Sequence, residues 1–249
     1  MTTAIITPAG LALGFIPVAI VIVILYRWSS DTRGAVYAVF RMLIQLLLIG
    51  YVLVYIFETD SPWLIMLVLA AMLFISSWIS MRPIQHRQAG LYIRVLLAIA
   101  IGGVPTLILV TQFVIDVEPW YQPSYLVPLA GMIFAGAMNA VSLAAERFEA
   151  ERDGGKAYPD ARRIALQAAL IPLINSLLAV GLVALPGMMT GQILAGVSPL
   201  IAARYQIVVM CMCSGRPGLL LHAILPPRGA PRNQTQAQRQ KKTEAMIGF

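Results

Sequence analysis

The chain has 249 residues, of which 59% are hydrophobic and only 12% charged, and it carries a formal net charge of +7; its mean hydropathy is +0.79. That composition excludes an ordinary soluble domain, where about a quarter of residues are charged, and points to a polytopic membrane protein. The basic residues sit between apolar runs instead of covering one face, which excludes a nucleic-acid surface.

A helix crosses a hydrocarbon core about 30 Å thick with about 20 residues. Runs of that kind fall at residues 9–26, 36–57, 63–80, 91–115, 125–145, 164–185 and 199–213, so the expected fold is all-α with about seven transmembrane helices. The first run has no basic stretch ahead of it and no clear cleavage site, which makes it a retained helix and not a leader. Within the second, YAVFRMLIQLLLIGY places Arg41 and Gln45 four residues apart, hence on one helical face. Ionisable groups inside a span usually face the bundle or a cavity, although Arg41 is close enough to one end to snorkel. The fifth run contains GMIFAGAMNAVSL, with Met132 and Asn139. Asn139, like Asn175 in the sixth run, has the chemistry either to bond across helices or to line a polar path.

The loop at 146–168 is long and richly charged. Pro159 suits a first helical position, and beyond it Ala161, Ile164, Ala165 and Ala168 recur at helical spacing while Asp160, Arg162, Arg163 and Gln167 take the other face. A short amphipathic helix over 158–167, running into the sixth span, is therefore expected. Spacing alone leaves two roles open: an anchor lying on the membrane edge, or a lever seated in a soluble partner. The GGKA at 154–157 lacks the spacing and the Ser or Thr of a phosphate loop, so any nucleotide chemistry would belong to another chain.

After the sixth run comes LPGMMTGQILAGVSP, residues 185–199. Pro186 stops or kinks a helix, and Gly187, Gly191 and Ala195 recur every four residues, the pattern of a smooth face for close helix packing. Broken backbone at membrane depth is tolerated where protein or a water-filled cavity surrounds it, so Met188, Met189, Thr190 and Gln192 are candidates to line a path. Cys211 and Cys213 are too few for a disulfide framework, and on an unbroken helix they point about 200 degrees apart, unsuited to sharing an ion. With two histidines, His86 and His222, and no hydrolase motif, the chain shows no catalytic machinery and no cofactor site of its own. Residues 1–225 form the membrane domain and 226–249 a polar, basic tail expected to be disordered.

Arginine and lysine flank alternate loops: Arg27 and Arg33, Arg82 and Arg87, the 146–168 loop, and Arg216 with the tail. The other loops carry Glu58, Asp60, Asp116 and Glu118. The positive-inside rule then puts the N-terminus outside and the C-terminus in the cytoplasm.

Three stretches, RMLIQLLLIGYVLVYIF, LVPLAGMIFAGAMNAVSL and AALIPLINSLLAVGLVALPGMMTGQILAGVSPLIAARYQIVVM, resemble the FetB-like family of ABC transporter permeases, metal-export membrane subunits related to the plant aluminium-sensitivity membrane proteins. The resemblance runs over roughly residues 36–212. It implies an integral subunit of a plasma (inner) membrane that pairs with a cytoplasmic ABC ATP-binding subunit, two copies of each, and exports an iron-like metal ion. It also implies that Tyr158, Pro159, Asp160, Arg162 and Arg163 dock on that subunit. The transport-path candidates are then Arg41, Gln45, Met132, Asn139, Asn175, Met188, Met189 and Gln192. This chain has Ala135-Gly136 where the family usually has Gly-Asn, and Arg216-Pro217 where a long apolar helix is expected. The competing readings are an ion-gradient-driven secondary transporter, disfavoured because every Asp and Glu lies in a loop, and a scaffold that transports nothing.

Overall fold

A computed structural model describes residues 7–28, 32–58, 60–84 and 90–214. Arg87, His86, Arg216, Pro217, His222 and the 226–249 tail lie outside the described residues. Among the described residues the elements are helical, with one isolated β-bridge between Val180 and Ala184. The helices are α1 (Pro8–Leu13), α2 (Ile16–Arg27), α3 (Thr32–Phe57), α4 (Pro62–Ser80), α5 (Leu91–Ile108), α6 (Pro123–Asp153), α7 (Tyr158–Ala179), α8 (Gly187–Leu194) and α9 (Pro199–Ser214).

The first expected span is thus two helices with a break at Gly14 and Phe15. Thr7 starts α1 by accepting the Gly10 N–H on its hydroxyl at 3.2 Å. Pro105 lies inside α5 and has no N–H to give the preceding turn; the helix widens just beyond it into a π-helical turn, Leu109–Val114. Five apolar segments are long enough to cross a bilayer: Pro8–Arg27, α3, α4, α5 with its π-helical end, and α6.

The sixth expected span differs and the seventh does not. The sixth was expected to reach residue 185, but α7 ends at Ala179, where the Ala179 carbonyl accepts the Val183 and Ala184 N–H groups and Gly181 takes a left-handed φ of 80°. That conformation suits glycine, and the break therefore falls well before Pro186. The seventh, expected at 199–213, is α9, helical from Pro199 through Ser214.

The bundle is organised around α6, which packs against α4, α5 and α7 and more lightly against α3 and α9. Leu129, Ala130, Ile133, Ala137 and Val141 of α6 bury themselves with Val95 and Ile99 of α5 and Ile65 of α4. Between bundled helices lipid offers no hydrophobic gain, so association depends on small residues and interhelical hydrogen bonds. Both are present. Gly103 lets α5 approach α6 so closely that a Cβ there would stand 2.9 Å from Ile133 Cγ2. Ser142 of α6 donates to the Ser80 carbonyl of α4 at 3.0 Å. Helices α2 and α3 instead leave their apolar side chains exposed almost throughout, an area far larger than a soluble monomer tolerates and suited to acyl chains.

Candidate functional site

The charged loop folds into a hairpin. Helix α6 has 31 residues, more than a bilayer crossing needs, and its last turns, charged from Glu146 onward, lead into a turn at Gly154 and Gly155 and so into α7. Gly155 has φ 84°, open to glycine and costly for other residues. Glu151 pins the corner: its carboxylate meets Arg147 at 2.5 Å and Lys156 at 2.7 Å. Arg152 donates to the Lys156 carbonyl at 2.9 Å. Phe148 and Tyr158 then meet edge to face with ring centroids 5.6 Å apart.

Beyond the corner, Ala161, Ala165 and Ala169 stack at i, i+4 and i+8 and are sealed against Ala144 and Phe148 of α6. The expected amphipathic helix therefore exists as the first half of α7, continuous with that helix's apolar second half. Its apolar face is covered by α6, leaving little to lie on lipid. Pro159, Asp160 and Arg163 are exposed, and Tyr158 and Arg162 are half-buried. The Asp160–Arg163 pair, at 3.9 Å on the surface, contributes little to stability.

The hydrogen bond from Lys156 holds the Glu151 carboxyl below its ordinary 4.5, helped by Arg147 and opposed by burial. The folded state thus keeps this charge to lower pH than the unfolded one. The contribution is whole above the unfolded value and is lost as pH falls through the depressed folded value. Melting temperature in detergent should fall as buffer goes from roughly pH 5 to pH 3, and Glu151→Gln should remove part of that fall. Equal slopes for the two proteins would show that the clamp contributes nothing.

The path candidates are not gathered inside the bundle. Asn139 on α6, Asn175 on α7 and Gln45 on α3 are exposed, and Arg41 is half-buried. Neither asparagine makes a hydrogen bond within the described residues, so within one chain they are not the interhelical glue that their chemistry allows. Met132 and Met188 pack on the apolar core, while Met189 and Gln192 are half-buried on α8. Thr190 Oγ1 donates back to the Pro186 carbonyl at 3.1 Å. The expected close-packing face of Gly187 and Gly191 is open, since a Cβ at either would meet nothing within 4 Å. The described residues hold no group of three His, Cys, Asp or Glu fit to bind a metal.

Two residues escaped the sequence reading. Arg94 lies in the fourth span, half-buried and with an interaction partner. Gln206 is buried on α9 with no partner for its Oε1 among the described residues; its signal was a polar residue four beyond Ala202 and three before Val209 on the core-facing stripe.

The family described as the uncharacterised protein family UPF0014 matches residues 6–158 and 152–224. The chain belongs to the UPF0014 family. A UPF0014 membrane protein of Synechocystis is 37% identical over 220 residues, covering 81% of this chain and 83% of the relative. The probable iron export permease protein FetB of Escherichia coli is 33% identical over 224 residues, 83% of this chain and 85% of that protein. Protein ALUMINUM SENSITIVE 3 of Arabidopsis thaliana is 30% identical over 223 residues, 82% of this chain and 79% of that protein. No solved structure matches. Apolar helices and membrane relatives agree that this UPF0014 member is an integral membrane protein.

Proposed function

We propose that the chain is the membrane subunit of an ABC-type exporter in a plasma (inner) membrane, working as two copies with a separate cytoplasmic ATP-binding subunit and moving a metal ion. The observation that carries this reading is the mechanical continuity of the hairpin. The exposed segment at Pro159, Asp160 and Arg163 is the start of the same rigid helix that enters the membrane, and the sealed alanines fasten that helix to the central α6. A partner that grips the segment moves both helices. Orientation follows from the charged loops, with the hairpin on the cytoplasmic side. The cargo class is suggested by the relative named as a probable iron export permease.

Within one chain the bundle centre is filled mainly by Ile, Leu, Val and Ala, and the buried Ser77, Ser80 and Thr111 hydroxyls are turned back onto carbonyls of their own helices, while Asn139 and Asn175 look outward. A polar route is thus better served by the seam between two copies than by a pore through one.

The test is the ATPase rate of the partner subunit reconstituted with this chain in liposomes. The chain should stimulate it, and Arg162→Ala with Arg163→Ala should weaken the stimulation by roughly 2- to 30-fold in apparent affinity, two charge contacts contributing about 0.2–1 kcal/mol each. No stimulation, or none lost in the double variant, would remove the reading.

A further inference from the structure

Among the described residues, two side chains bury an oxygen with no hydrogen-bond partner: Gln192 Oε1 and Gln206 Oε1. Gln206 is only 6% exposed, on the stripe of α9 that also buries Ala202, Val209 and Met212. Gln192 is half-buried on α8, a helix whose main packing partner is α9. A sealed amide oxygen without a donor carries its whole desolvation cost, and native chains rarely keep one. Leucine or methionine would fill the Gln206 position without that cost. Their helices form a short, broken pair joined through Gly196, which takes φ 94°. Open space beside Gly187 and Gly191 leaves α8 room to shift.

We infer that Gln192 Oε1 and Gln206 Oε1 are ligands for the transported solute, a hydrated divalent cation that reaches them when α8 moves relative to α9. The cation class rests on the exporter reading above; the unpaired oxygens do not. Amide oxygens are hard, neutral donors suited to cations of this kind or to the water protons of their hydration shell. Without a carboxylate the site binds weakly, and a path must release what it holds.

The experiment uses the full chain in lipid nanodiscs, with iron(II) alone under anaerobic conditions as the probe, read by equilibrium dialysis. Wild type should bind iron(II), Gln206→Leu and Gln192→Leu should each weaken it at least roughly tenfold, as expected from losing a ligand, and Gln206→Glu should retain or tighten it. Gln206→Leu should also melt higher, by about 2–4 °C or more, because an orphaned acceptor has gone. Unchanged binding in both leucine variants, no iron(II) binding by the wild type, or a lower melting temperature for Gln206→Leu would each overturn the inference. The ATPase assay judges the exporter reading separately. A chain that stimulates its partner yet binds iron(II) equally in all variants sinks the ligand pair alone, whereas a chain that does neither sinks both.

Discussion

Ala165→Leu is expected to lower the melting temperature of the chain by roughly 6–12 °C and to abolish stimulation of the ATPase partner, whereas Gln167→Leu should do neither. Ala165 is 0% exposed, as is Ala161 one turn before it, and both press on α6 beside Ala144 and Phe148. Three added carbons have no space there. Overpacking of a sealed contact costs about 1–3 kcal/mol, and a site between two continuous helices belongs at the upper end, near 3 kcal/mol. At about 2–4 °C per kcal/mol for a chain of this size, the fall follows. To relieve the clash, α7 must lift away from α6, which also separates Phe148 from Tyr158 and loosens the Glu151 corner. A docking segment no longer fastened to α6 cannot carry movement inward even if the partner still binds it. Gln167 lies two residues away on the exposed face, so a leucine there changes hydropathy at the same height without touching the seam. Thermal unfolding in detergent and the reconstituted ATPase rate, measured on both variants, decide the matter. Equal behaviour would mean that the hairpin is not the rigid element described here.

The parts of this architecture that depend on hydropathy were open to reading in the sequence. Five bilayer-length segments fall where the apolar runs place them, because a run that long has few other stable fates. The start of α7 was legible too, since Pro159 and the four-residue spacing of small residues mark a helix start and its buried face, whereas the charged stretch 146–153 was expected as loop and is instead the last two turns of α6. The end of α7 was not. Residues 180–185 are as apolar as those before them, and hydropathy does not record that Gly181 turns left-handed and that Ala179 gives its carbonyl to Val183 and Ala184.

The candidate site was read less well for a related reason. Polarity within a span says that a residue needs a partner, but which way it faces is set by the helices packed around it. Asn139 and Asn175 belong to helices whose other faces are taken, respectively by α4, α5 and α7 and by α6, and so they look outward. Gln206, on a stripe otherwise formed by Ala202, Val209 and Met212, looks inward.

Replacing Asn139 and Asn175 together by leucine should leave the stability of a single chain unchanged or slightly raised, yet weaken association between two copies by roughly 60-fold. Each amide is exposed and its side chain makes no hydrogen bond among the described residues, so nothing there is lost by removing it, and leucine is better matched to acyl chains. In the proposed pair of chains the position is different. Hydrogen bonds between membrane helices average about 0.6 kcal/mol, and four amides, two from each copy, give about 2.4 kcal/mol, or roughly 60-fold in the dissociation constant. Either substitution alone should give about half of that free energy. Energy transfer between donor- and acceptor-labelled chains diluted in liposomes measures the constant directly, with melting temperature recorded on the same samples. If the double variant associates as the wild type does, Asn139 and Asn175 face something other than a second copy, and a seam between chains no longer has a claim to be the route. If association weakens and metal flux falls with it while melting is unchanged, the outward amides are holding together the surface along which the solute moves.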